Sequence, residues 1–274
     1  MPRSPVNRTA TRDRFVPGMR VGDYRIDREL AVEETGVVYL GIHAVLPRHA
    51  AVKVMHPGAS QQGAPVQVLP EALLLEALSH PGIPRVFECG ILSDGRPWAA
   101  FERIDGASLG ELIAGAPLPV ADLVVVLRDV GDLLAHAHAR GVVHRRLTAD
   151  AIVRAADRGG TVCVRHWDDA RSLDIEPRLA VDAREDVYAL GAIAFRALAG
   201  DAPEAGVSMA ERCPTAAVEL TALIEHMLAP DPATRPPSDE VRDRARWLAD
   251  TVEPRMSDRL RWTPPVGPAP GSSR

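Results

Sequence analysis

Ala50-Ala51-Val52-Lys53-Val54-Met55 alternates in the manner of a strand, His56-Pro57-Gly58 ends it, and Pro70 opens a helix over Glu71–Ser79, where proline is tolerated in the first turn. Toward the N-terminus, Tyr24-Arg25-Ile26 and Val37-Val38-Tyr39-Leu40 read as two strands flanking a turn-like segment. Toward the C-terminus, Val86–Cys89 and Pro97–Ile104 read as two more. After Gly106 the pattern changes. Ser108–Ala114, Val120–Ala139, Ala183–Ala199, Ala216–Leu228 and Ser238–Val252 are predicted helices, with one short strand, Thr161–Val164, among them. A strand-rich first third followed by a helix-rich remainder predicts an α+β arrangement in two lobes.

Composition bounds what such a chain does. Of 274 residues, 46% are hydrophobic and 25% charged, which is enough to bury a core. A net charge of −5 argues against a general nucleic-acid or membrane-surface binder. Cys89, Cys163 and Cys213 lie far apart without CxxC spacing, so they are expected as buried thiols rather than a disulfide or zinc framework. No stretch reaches the ~18 uninterrupted apolar residues of a membrane span, and the N-terminus lacks the apolar run of a signal peptide. The expected location is cytoplasmic. Residues 1–22, with Arg3, Arg8, Arg12, Arg14 and Arg20, are expected to form a disordered basic arm, and the Pro-rich residues 253–274 a disordered tail.

Seven further landmarks, in order along the chain, carry a resemblance. Ala50-Ala51-Val52-Lys53, Glu71, His80-Pro81-Gly82-Ile83, Phe101–Gly106, His138–Arg145, Val181–Gly191 and Asp231-Pro232-Ala233-Thr234-Arg235-Pro236-Pro237-Ser238 resemble the bacterial eukaryotic-like Ser/Thr protein kinases over about Tyr24–Leu248. The resemblance implies a protein-kinase-like fold. It has a small antiparallel-sheet N-lobe with one helix (23–103) and a larger helical C-lobe (104–252). It also places Lys53 as the nucleotide anchor and Glu71 as its helix partner. Gly36 falls in the Gly-rich loop, Val38, Ala51 and Val153 fall where adenine is sandwiched, and His144 and Asp186 tie the catalytic loop to the main C-lobe helix. Leu75 and Trp167 fall in the apolar spine.

The same alignment shows what is replaced. Phosphoryl transfer needs a cover over the phosphates, a lysine, a base and side chains that hold the metal. The loop Leu30-Ala31-Val32-Glu33-Glu34-Thr35-Gly36 keeps one of three glycines, and its glutamates are expected to be solvated turn residues. Arg146 stands at the base position, and a guanidinium accepts no proton. Thr148 replaces the phosphate-contacting lysine and Ala151 the metal-binding asparagine. His166-Trp167-Asp168 matches Asp-Phe-Gly best, which puts a poor magnesium ligand, His166, in the metal position. A two-residue slip would put Asp168 there instead. About a dozen residues separate Trp167 from Val181, too few for the usual substrate-docking segment, and Ser172 is the one hydroxyl residue among them.

These substitutions imply a catalytically dead homologue acting as a signalling, scaffolding or allosteric module. Its partner would be a protein, an active kinase or a phosphorylated protein among the options, with no nucleic acid. No metal is implied. Two readings of Lys53 and Glu71 stay open: a structural ion bridge, or an anchor for ATP or another nucleotide without magnesium. The alternative function is an active transferase that recruits Asp150, Asp168 or Asp169. Arg145, Arg146, Arg154 and Arg165 are candidates for a basic patch, and His136 and His138 are read as packed or exposed helix residues with no nearby carboxylate to complete a metal site.

Overall fold

The computed structural model describes residues 14–57, 70–172, 180–203 and 208–251, without the side chains of 70, 157 and 180–182. The chain divides into two compact units. The first holds the residues up to Ala77 together with Pro84–Arg103, and the second holds Leu78–Ile83 and the residues from Ile104 onward.

The first unit is an antiparallel sheet of six strands in the order β1-β2-β3-β4-β6-β5: β1 Arg20–Val21, β2 Tyr24–Val32, β3 Gly36–His43, β4 His49–Met55, β5 Val86–Ile91 and β6 Pro97–Glu102. One helix, α1 (Pro70–Leu78), accompanies it. Period-2 alternation gives the sheet two faces. Val37 and Tyr39 of β3 and Ala50, Val52 and Val54 of β4 join Tyr24, Ile26 and Trp98 in one buried cluster. The opposite face carries Val38, Ala51 and Lys53, with Val38 directly across from Lys53. Register therefore decides which side chains meet α1's face of the sheet.

The sheet begins earlier than the sequence suggests. The expected disordered arm of residues 1–22 is corrected over its second half: Arg20–Val21 pairs with Tyr24–Arg25, and Phe15 packs edge-on against Tyr39 at 5.8 Å. The Phe15 N–H donates to the Tyr39 hydroxyl at 3.2 Å. Residues 1–13 and 252–274, and with them the expected tail, lie outside the described residues. The cysteines need correction too, because Cys89 is exposed and Cys213 half-buried, leaving Cys163 as the buried thiol.

The second unit comprises α2 (Leu109–Ile113), α3 (Val120–His138), α4 (Ala180–Ala199), α5 (Met209–Arg212), α6 (Val218–Met227) and α7 (Ser238–Thr251). It also has the short pairs β7 (Val142–Val143) with β10 (Arg171–Ser172), and β8 (Ile152–Ala155) with β9 (Thr161–Val164). Helix α3 is central, with Leu123, Val126, Leu127, Val130, Leu133, Leu134 and Ala137 buried. At Gly131 the backbone of Arg242 in α7 comes so near that a Cβ would lie 3.0 Å from its nitrogen, so glycine sets the α3–α7 approach. Ser108 starts α2 with a reciprocal capping box to Glu111.

The late Asp-Pro…Arg-Pro segment owes its hold to one side chain. Arg235 is buried, lies 4.5 Å over the Tyr188 ring and pairs with Glu185 at 2.7 Å. It also donates to the carbonyls of Ala229, Pro230 and Arg184, and so ties the loop after α6 to α4. The His80-Pro81-Gly82-Ile83 turn is held comparably. His80 Nδ1 accepts the Gly82 N–H, its Nε2 reaches Asp132 of α3, and the Gly82 carbonyl accepts the Val164 N–H of β9.

Candidate functional site

The candidate residues divide between the two units. In the first, Lys53 on β4 is 4% exposed and donates to Glu71 Oε2 of α1 at 3.1 Å. The pair expected from sequence is therefore formed. Burial pushes the Glu71 carboxyl above the usual range, the Lys53 charge and hydrogen bond oppose that rise, and a second carboxylate, Glu33, adds to it.

Glu33 is where the structure departs from expectation. The expected solvated turn glutamate instead places Oε2 3.0 Å from Lys53 Nζ, with 22% of its side chain exposed. The contact is one of opposite charges at ion-pair distance, without the direction of a hydrogen bond. Its cause is the loop's backbone. The Glu33 N–H donates to the Gly36 carbonyl at 2.8 Å, the His56 N–H donates to the Thr35 carbonyl at 3.0 Å, and His56 Nε2 lies 3.2 Å from the Glu33 carbonyl. Two strands and the residue after β4 thus close the tip into a tight hairpin that turns Glu33 inward. No sequence signal marked this, because the partner, Lys53, is twenty positions away.

Gly36 has a structural reason to be glycine. A Cβ there would lie 2.3 Å from the Val54 carbonyl oxygen and 3.0 Å from the Met55 Cα, so β3 and β4 approach too closely for a side chain. Val38 and Ala51 are half-buried on the Lys53 face of the sheet.

In the second unit, Asp186 of α4 is 1% exposed and organises the segment after β7. Its carboxylate accepts the backbone N–H groups of His144 at 2.8 Å and Arg145 at 2.7 Å, and His138 Nε2 lies 2.9 Å away. Arg145 takes a left-handed backbone, φ 67, as does His166, φ 60. Such conformations cost a non-glycine residue about 1–3 kcal/mol, which the surrounding bonds offset. The expectation that no carboxylate lies near His138 is corrected, since Asp186 comes from a helix 48 residues on. His138 Nδ1 is engaged as well, at 3.0 Å from the Ser238 hydroxyl, so neither ring nitrogen has a lone pair left for a metal.

His144 is held by both nitrogens. Nδ1 accepts the Arg146 N–H at 3.3 Å and Nε2 lies 3.2 Å from the Arg165 carbonyl, a pattern that fits the neutral ring. Burial lowers its pKa, with the Asp186 charge opposing. Its ring packs against Trp167 with centroids 4.6 Å apart, and Trp167, 1% exposed, donates its indole N–H to the Val164 carbonyl at 2.9 Å.

At the positions chemistry would use, Arg146 is exposed and its guanidinium lies 3.2 Å from Asp169. Ala151 is fully buried in a 3₁₀ turn, Ala149–Ala151, whose N-cap is Thr148: the Thr148 hydroxyl accepts the Ala151 N–H at 3.3 Å. Asp150 is exposed and its Oδ1 sits against α2, 1.9 Å from where a Cβ on Gly110 would be. His166 is exposed and Asp168 half-buried, with a ring nitrogen and a carboxylate oxygen within 4.8 Å of one another. Val153 is fully buried with Ile104, Ala155 and Cys163 in a small core cluster. Among the candidate arginines, Arg154 donates to the Gly160 carbonyl, Arg165 to the Asp150 carbonyl, and Arg146 pairs with Asp169.

This architecture is the protein-kinase fold. The chain superimposes on the kinase domain of Mycobacterium tuberculosis PknI with a TM-score of 0.67, covering 85% of this chain and 99% of that one at 24% identity. Its relatives in sequence are bacterial serine/threonine protein kinases: Pkn1 of Myxococcus xanthus, 32% identical over 81% of this chain, and PknJ of M. tuberculosis, 28% identical over 77%. The chain spans only 33% and 43% of those two proteins' lengths. No protein-family model matches it. No helix among the described residues is long and apolar enough to cross a membrane.

Proposed function

We propose that this chain is a degenerate member of the bacterial Ser/Thr kinase family that transfers no phosphate and acts by binding a protein partner, as a signalling, scaffolding or allosteric module. The observation that carries this reading is the pairing of Arg146 with Asp169 at the base position, together with a buried alanine, Ala151, where a metal-holding oxygen is needed. Loss of a general base alone costs about 10²–10⁴ in rate, and loss of the metal clamp adds to that. The relatives are named as kinases, so the reading rests on this chain's own replacements rather than on its kinship. Incubation with labelled ATP and magnesium or manganese tests it. Label transferred to the chain itself or to a general substrate, and lost in Lys53→Ala, would overturn the proposal.

A second reading, an active transferase with displaced ligands, draws on the half-buried Asp168 carboxylate near His166. It predicts metal-dependent thermal stabilisation by ATP that Asp168→Ala abolishes.

A further inference from the structure

We infer that Glu33 stands in for a nucleotide phosphate at Lys53: as built, the chain keeps polyphosphate off that lysine, and removing the Glu33 carboxylate opens it to a nucleoside triphosphate. The inference rests on the kinase-homologue reading above, which makes Lys53 the phosphate-facing cation. It goes beyond that reading by assigning nucleotide exclusion to one residue.

Three observations within the first unit carry it. Lys53 is almost wholly buried, so few directions remain from which an anion can reach its ammonium, and Glu71 and Glu33 approach it at 3.1 and 3.0 Å. Glu33 is a partly buried residue on a bonded backbone. Its own N–H and C=O are both bonded, to Gly36 and His56, and its neighbour Thr35 accepts the His56 N–H, so the carboxylate is aimed by a closed hairpin. Two carboxyl groups already crowd one ammonium, and Glu34 follows at the tip. A triphosphate arriving at Lys53 meets a carboxylate at contact distance, and like charges at that range in a poorly solvated place repel strongly. Glycine in the same loop position would instead leave no side chain between a phosphate and the backbone N–H groups.

The experiment is direct titration of ATP, with and without magnesium, into the wild-type chain, Glu33→Ala, Glu33→Gln and Glu33→Ala/Lys53→Met, read by calorimetry, with circular dichroism confirming the fold. Glu33→Ala is expected to bind ATP at least about tenfold more tightly than wild type, and Lys53→Met to cancel that gain. Should the alanine variant fail to fold, the isosteric glutamine variant decides by the same readout. Equal ATP affinity in wild type and the Glu33 variants would overturn the inference, as would a gain that survives Lys53→Met. A transfer assay on the same samples separates the two claims. Wild-type binding as tight as that of the Glu33 variants, without transfer, sinks only the inference, transfer by the wild type sinks the functional reading, and binding gained without transfer supports both.

Discussion

The carboxylate of Asp186 holds the backbone of His144 from forty-two positions away, accepting its N–H at 2.8 Å and that of Arg145 at 2.7 Å. A buried anion with three donors around it is a stabiliser only while the set is complete. Asp186→Asn trades one acceptor oxygen for a donor that faces other donors. It should cost about 3–5 kcal/mol, the range for breaking a buried charged network, measured by urea denaturation. A loss under about 1 kcal/mol would mean that the loop is held otherwise.

Gly36→Ala should destabilise the chain with no nucleotide present, because its Cβ would meet the Val54 carbonyl at 2.3 Å. Overpacking of this kind costs about 1–3 kcal/mol. A thermal melt in nucleotide-free buffer checks it, and an unchanged midpoint would return Gly36 to a ligand-binding explanation.

Arg235 serves acceptors from two segments, so the planar fork matters as well as the charge. Arg235→Lys should recover little of what Arg235→Met loses. Both are expected to fall by about 2 kcal/mol or more in denaturant midpoint experiments, since carbonyls are left without their donors.

Acid should weaken the second unit. Burial lowers the pKa of both His80 and His144, so each is neutral in the fold and takes up its proton more readily when unfolded. Their contribution is present above the unfolded histidine value, about 6.5, and is lost as pH falls through the folded one. Stability measured at pH 7.5, 6.5 and 5.5 should decline across the lower interval, less so in His80→Gln. Glu71 has the opposite sign, because its raised pKa favours the fold at lower pH and that contribution is lost as pH rises through the folded value. The same pH dependence in His80→Gln as in the wild type would contradict the histidine assignment.

On the proposed reading, Arg146→Asp alone gives no phosphotransfer, because Ala151 still offers a methyl group where a metal-holding oxygen is needed. Stability should change by under about 1 kcal/mol, since the Arg146–Asp169 pair is exposed. Label transfer by this single variant would show that the remaining replacements are tolerated.

Much of the fold was legible because periodicity and ordered landmarks are local properties. Thr161–Val164 is found as read, and α1, α3 and α7 fall within a residue or so of their expected ends. The missed elements are short. Arg20–Val21, Val142–Val143 and Arg171–Ser172 have two residues each and exist only through their partners, so no pattern within them could reveal a strand. At the candidate site the residue types were readable while their directions were not. Lys53 and Glu71 meet as the resemblance implied. Glu33 turns inward because His56 and Gly36 close the hairpin, and His138 finds Asp186 because α3 and α4 pack together. Thr148 caps a turn that only the backbone geometry discloses.

The uneven placement of the thiols makes the molecule simple to tag. Cys163 is sealed inside, while Cys213 donates toward the Leu198 carbonyl and is made less acidic by burial. Cys89, on the outward side of β5, is left as the first atom a maleimide dye would reach. One fluorophore there reports on the six-stranded sheet without any engineered cysteine.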